Sequence, residues 1–89
     1  MSLLETILSD YPDETFLKAD GFDDAIIGVW NGKLVYSTKA CIDILAKDMS
    51  YEDAVEYFYY NVEGSYVGEK TPIFIDLYLD IISIEANQN

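Results

Sequence analysis

Residues 25–37 read AIIGVWNGKLVYS, and this stretch decides the fold. Two runs rich in β-branched and aromatic residues flank the dipeptide Asn31-Gly32. Asn-Gly between such runs is the strongest short-range hairpin signal, because both central positions of the tight turn need positive φ. The sequence therefore predicts a β-hairpin with strands at 25–30 and 33–37.

A short helix is predicted before the hairpin. Ser2 and Glu5 have capping-box spacing, and the apolar residues that follow share one helical face up to Pro12. We therefore expect a helix over residues 3–10. The acidic stretch 13–24 has irregularly spaced apolar residues, which indicates a packed loop.

Two more helices are predicted after the hairpin. Thr38 is the predicted N-cap of a helix over about 38–48. Ser50, with Asp53 at the box position, predicts a helix over about 51–63 that ends near Gly64.

The C-terminal part gives mixed signals. Glycines and Pro72 predict a turn-rich connection over 64–72. In the segment of about 73–84, isoleucines and leucines alternate as in a strand, while polar residues recur at helical spacing. β-branched and aromatic enrichment favours a strand at its start. The expected architecture is α+β, with residues 1–89 forming a single domain.

Charge is the most informative property of the composition. The chain contains seventeen Asp and Glu and five Lys, which gives a formal net charge of −12. Such a field repels phosphate backbones and anionic lipid and accelerates association with basic proteins. We therefore expect a partner with a basic surface and no direct binding of nucleic acid or membrane. The alternative is that the charge serves only solubility.

The residue types present exclude much familiar chemistry. The chain has no His and no Arg, so the commonest general base and the bidentate phosphate clamp are missing. Cys41 has no imidazole to activate it and no second cysteine to pair with, so a buried structural thiol is expected. Because these residue types are missing, no cofactor is predicted. The N-terminus lacks the basic region of a signal peptide, so a cytoplasmic protein is predicted.

One acidic cluster is a candidate cation site. Asp20, Asp23 and Asp24 surround Gly21, and carboxylate oxygens suit hard cations. Their spacing matches no calcium loop, so a solvated loop is the favoured interpretation and no metal is predicted.

Residues 64–71 contain two glycines and a Lys-Thr pair but lack phosphate-loop spacing.

The candidate contact surface lies on the predicted helix over 51–63. On a wheel of 100° per residue, the core stripe holds Tyr51, Ala54, Val55, Phe58 and Val62. The opposite face holds the predicted partner-binding residues, which are Glu52, Asp53, Glu56, Tyr57, Tyr60 and Glu63. Tyrosine is enriched at interface hot spots, and carboxylates pair with Lys or Arg of a partner. The alternative is that both tyrosines pack against the 65–72 loop or the chain termini.

The sequence resembles a family of small, uncharacterised proteins of tailed bacteriophages. The likeness is carried by 18–29 (KADGFDDAIIGV), 34–37 (LVYS), 41–45 (CIDIL) and 49–74. The resemblance implies a protein acting in the cytoplasm of an infected bacterium. It brings no known activity and no functional residue.

Three functional hypotheses follow. The first is an inhibitor that occupies a basic surface of a host or defence protein, in one version as a DNA mimic. The second is an assembly accessory that self-associates through Tyr57, Tyr60 and the apolar C-terminal segment. The third, least favoured because acid–base residues are missing, is a metal-dependent enzyme built on Asp20, Asp23 and Asp24.

Overall fold

The computed structural model describes residues 2–64 and 68–76. Its helices are α1 (Leu3–Asp10), α2 (Thr38–Leu45) and α3 (Tyr51–Tyr57), its strands are β1 (Ile26–Trp30), β2 (Lys33–Ser37) and β3 (Ile73–Ile75), and it has a 3-10 turn at Asp23–Ala25 and a π-helical segment at Phe58–Glu63. The predicted α+β class is confirmed.

The predicted hairpin is confirmed. β1 and β2 pair antiparallel, with Trp30 opposite Lys33. Asn31 has φ 53° and Gly32 has φ 76°, so both turn residues adopt the left-handed conformation that the Asn-Gly signal requires. The register shifts between Ile26 and Gly28, which is a local irregularity of the first strand.

The third strand lies on the other side of β2 from β1 and forms the second edge of the sheet. β3 pairs with β2 in parallel, so the strand order is β1-β2-β3. A parallel partner needs a long crossover, and the helices between β2 and β3 supply it. The predicted strand at the start of the C-terminal segment is confirmed for 73–75, and 77–84 lies outside the described residues.

The first helix is confirmed with its cap. Ser2 Oγ accepts the Glu5 backbone N–H at 3.2 Å and lies 3.3 Å from the Glu5 carboxylate. Leu4 and Ile7 are buried one turn apart and attach the helix to the core.

Both ends of the second helix differ from the prediction. The cap is Ser37, whose Oγ accepts the Ala40 N–H at 3.1 Å, because the backbone of Ser37 is extended (ψ 120°) while Thr38 is already helical and buried. The helix ends at Leu45. Residues 46–48 continue as a tighter turn, in which the N–H groups of Lys47 and Asp48 bond to carbonyls three residues earlier.

The third helix begins as predicted and then changes its winding. Ser50 Oγ accepts the Asp53 N–H at 3.1 Å. From Phe58 to Glu63 the helix is of the π type, with more residues per turn than an α-helix. A wheel of 100° per residue is therefore only approximate beyond Tyr57, although Phe58 is buried and Tyr60 and Glu63 are exposed on the sides that the wheel gives them.

An aromatic group forms the centre of the core. Tyr36 and Phe58 are fully buried, and each ring centroid lies 5.3 Å from that of Phe74. The Tyr36 hydroxyl accepts the Ala19 backbone N–H at 2.8 Å. Burial raises the pKa of Tyr36, against the opposing effect of this hydrogen bond. The hydroxyl thus joins the loop before the hairpin to the middle strand.

Replacing Tyr36 with phenylalanine is expected to lower the free energy of unfolding by about 1–2 kcal/mol, because the half-buried Ala19 N–H loses its acceptor. Urea unfolding followed by circular dichroism measures the change. Tyr11→Phe is the matched control, since Tyr11 is 48% exposed. Equal stability of the two variants would contradict the role given to the Tyr36 hydroxyl.

Candidate partner-binding surface

All six predicted contact residues are exposed. Glu52, Asp53, Glu56, Tyr57, Tyr60 and Glu63 lie on α3 and the π-helical segment, and we call this set the acidic face. Tyr60 is 82% exposed and Tyr57 is 45% exposed. The Tyr60 side chain is thus mostly exposed, whereas Tyr57 is partly covered. Residues 65–67 and 77–89, which belong to the loop and the terminus of the alternative placement, lie outside the described residues.

The core side of this helix corrects part of the wheel prediction. Ala54 and Phe58 are buried as predicted, but Tyr51 is 54% exposed. Tyr51 is the first residue of α3 and lies one turn before the buried Ala54. Together with Tyr59, it lines a shallow groove beside α2. Tyr59 is 46% exposed, and the sequence analysis assigned it to neither face because the wheel places it at the edge of the core stripe.

Within the described ranges, no lysine forms an ion pair with the acidic face. Between residues 48 and 63 the sequence contains Asp48, Glu52, Asp53, Glu56 and Glu63 and no Lys. The ion pairs of the described residues involve Lys18, Lys39 and Lys70, and none of them includes a carboxylate of the acidic face. The carboxylates of this surface are therefore not neutralised by any lysine of the described residues, and they can attract a cation.

Four of the six residues surround one depression. Asp53, Glu56, Tyr57 and Tyr60, together with Met49 and Asn61, line a shallow groove of about 410 Å³, here called the outer groove. Glu52 and Glu63 are exposed outside it. The structure thus places two carboxylates and two tyrosines around a common concave surface.

A second, larger depression adjoins the first. This inner groove has a volume of about 450 Å³ and lies between residues 18–22, the end of α2, the π-helical segment and the 72–74 stretch. Its apolar lining includes Phe22, Leu45, Met49, Val62 and Phe74. Met49, Tyr57 and Asn61 line both grooves, so the two are continuous.

Long-range contacts fix the loops beside the inner groove. Lys70 Nζ lies 2.8 Å from Glu14 Oε2, donates to the Thr15 carbonyl at 2.7 Å and stands 5.7 Å from the centre of the Phe16 ring. The Tyr36 hydroxyl also accepts the Ala19 N–H. The 14–22 loop is therefore attached to the sheet through Tyr36 and to the stretch before Pro72 through Lys70.

The three aspartates of the candidate cation site lie on the loop before the hairpin and on its 3-10 turn. Asp23 and Asp24 belong to the 3-10 turn, where Asp23 lies 3.5 Å from Lys18. Asp20 instead lines the inner groove. Within the described part of the chain, no three acidic or cysteine side chains are grouped as metal ligands.

Cys41 has the environment of a structural thiol. It is fully buried in α2, and burial raises its pKa to about 12. A thiol with such a pKa is almost wholly protonated near neutral pH and is a poor nucleophile.

These features define a small acidic α+β domain with a tyrosine-bearing acidic face beside an apolar groove. None of the helices in the described ranges is long and apolar enough to cross a bilayer. Comparison with protein-family models, with curated proteins and with solved structures finds no match. The resemblance to phage proteins therefore stays a prediction.

Proposed function

We propose that this protein binds a basic surface of another protein through the acidic face and thereby blocks that surface. The observation that carries the proposal is the absence of described ion-pair partners for Glu52, Asp53, Glu56 and Glu63 on a face that also exposes Tyr57 and Tyr60. In the context that the phage resemblance implies, the target is a host or defence protein.

Electrostatics favours a basic protein over other partners. The negative charge of this protein repels nucleic acid and anionic membranes. A basic protein surface is instead attracted, which raises the rate at which the two proteins meet and favours the orientation that pairs opposite charges. The two tyrosines provide the short-range part of the interaction, because a rigid amphipathic ring loses little conformational entropy on binding. Long-range attraction and local anchoring thus come from one helix.

Self-association through the same face is less favoured. A two-fold dimer places the same patch of both copies against itself. Four carboxylates of one copy would then face four of the other, with no lysine on this segment to neutralise them. The exposure of Tyr60 alone does not offset this repulsion.

A pull-down tests the proposal. Tagged protein is incubated with bacterial lysate at low and at high salt, and the retained proteins are identified by mass spectrometry. We expect a basic protein that is retained at low salt and lost at high salt, because screening shortens the Debye length from about 10 Å at 0.1 M to about 3 Å at 1 M.

Matched double variants localise the binding. Glu56→Lys with Tyr57→Ala is expected to lower retention at least tenfold. Asp13→Lys with Tyr11→Ala makes the same changes elsewhere, at a tyrosine of similar exposure (48% against 45%), and should retain the partner. Equal loss in both variants would show a nonspecific effect of charge. Recovery of the protein alone, independent of salt, would favour the self-assembling accessory.

A further inference from the structure

We propose that the inner groove receives an apolar side chain of the partner, in a segment where that side chain is flanked by Lys or Arg. This inference rests on the proposed function and names the chemistry of the partner segment. It assigns a role to a surface that shares only Tyr57 with the partner-binding residues selected from the sequence.

The lining of the groove determines which side chain fits. Phe22 is buried, and Leu45, Met49, Val62 and Phe74 are half-buried and line the open space. A volume of about 450 Å³ lies in the range of ligand pockets, which run from about 300 to 1,000 Å³. Large aliphatic or aromatic side chains gain the most from leaving water for such a lining.

The rim determines what flanks that side chain. Asp20 and Asp48 are exposed and line the inner groove, and Asp53 and Glu56 line the outer groove that continues from it. The described lysine at the inner groove, Lys18, lies 3.5 Å from Asp23. An apolar side chain seated on Met49, which lines both grooves, is therefore bordered by carboxylates that line one groove or the other.

The combination excludes simpler ligands of either kind. A purely polycationic segment would satisfy the rim but leave the apolar lining in water. A purely apolar or acidic segment would meet the rim carboxylates without a counter-charge, which costs free energy when they are desolvated. An apolar anchor between basic residues satisfies both parts, as in grooves that bind basic amphipathic segments.

The methionines provide a direct probe. The chain has two, Met1 and Met49, so a methyl-labelled sample gives at most two methionine signals, and Met49→Gln assigns them. The titrant is a synthetic peptide with a central Leu-Phe pair between flanking lysines. One control peptide replaces Leu-Phe with Ser-Ser, and another replaces the lysines with glutamates.

We expect the Met49 methyl signal to shift on addition of the Leu-Phe lysine peptide and to move little with either control. In fluorescence anisotropy at physiological ionic strength, Asp48→Lys and Met49→Gln should each weaken this peptide at least fivefold. Asp13→Lys, an equal change of charge on an exposed turn outside both grooves, should weaken it less than twofold.

The outcomes separate this inference from the proposed function. Equal binding of the Leu-Phe and Ser-Ser lysine peptides would overturn the groove assignment and leave the acidic face as the binding surface. Failure of both lysine peptides to bind would overturn the groove assignment and count against the proposed function as well. In the free protein, contacts of the Met49 methyl with residues 77–89 or with a second copy would show that the groove is already occupied and would also overturn the assignment.

Discussion

Replacing Phe58 with alanine is expected to lower the free energy of unfolding by about 3–5 kcal/mol. Phe58 is fully buried where the α-helical winding changes to the π form, and its ring makes edge contacts with Phe74 at 5.3 Å and Tyr59 at 5.2 Å. Truncation removes apolar burial and leaves a cavity between the helix and the sheet. Native domains are stable by only about 5–15 kcal/mol, and a short chain belongs near the lower end. The variant is therefore expected to keep only about 0–2 kcal/mol of stability, too little for a complete unfolding transition in urea.

Two further variants keep this prediction measurable by urea unfolding. Phe58→Leu keeps most of the volume and should cost about 1–2 kcal/mol, within range of a complete transition. Tyr60→Ala removes a larger aromatic side chain from the same segment, but that side chain is 82% exposed, so stability should change by less than about 0.5 kcal/mol. A Phe58→Ala protein within about 1 kcal/mol of the parent would contradict the position of Phe58 in the core.

The features that sequence predicted are those whose cause is local. The hairpin follows from Asn31 and Gly32, because the tight turn between two antiparallel strands requires positive φ at both positions and these two residues adopt it readily. The caps at Ser2 and Ser50 follow from side chains that bond a backbone N–H three residues on. The cap of the second helix was predicted one residue late, because Ser37 and Thr38 are both good capping residues and only the backbone geometry decides between them.

The features that sequence did not predict depend on distant residues. β2 and β3 pair in parallel between Val35 and Ile73, and local periodicity does not specify that pairing. The π winding at Phe58–Glu63 is likewise not encoded in a helical wheel, which assumes a constant turn. The exposed positions on the acidic face were nevertheless predicted, because carboxylates remain in water whatever the winding.

The inner groove shows why a candidate site can be half predicted. The acidic face was found because its residues lie on one continuous segment. The groove beside it is formed by residues 18–22, the end of α2, the π-helical segment and Phe74, which are brought together only by the fold. Leu45, Met49 and Val62 have an ordinary apolar pattern in the sequence, and nothing in that pattern separates a groove lining from a filled core.

Alkaline pH is expected to destabilise the protein through Cys41. Burial raises the pKa of its thiol from 9.0 to about 12 in the folded state. A raised folded-state pKa means that the unfolded chain binds fewer protons between these values, so the stability contributed by the neutral buried thiol is complete below pH 9 and decreases as pH rises towards 12. The expected slope is about 1.4 kcal/mol per pH unit within that window, and the full loss would be about 4 kcal/mol.

The Cys41→Ala variant isolates this contribution, because the lysines and the other tyrosines titrate in both proteins and cancel in the difference. The Cys41 charge also raises the pKa of Tyr36, but the folded protein carries that charge only near pH 12. At neutral pH the variant should be the less stable of the two, since it loses buried volume. Between pH 9 and 10.5 the advantage of the parent should shrink by about 1.6 kcal/mol in urea unfolding, because the slope reaches its full value only above the unfolded-state pKa. Reducing agent is kept in all samples, so that oxidation of the exposed thiolate in the unfolded chain does not imitate the effect. If the two stability curves run parallel across this range, the thiol ionises as easily in the folded protein as in the unfolded chain, and the fully buried position of Cys41 is wrong.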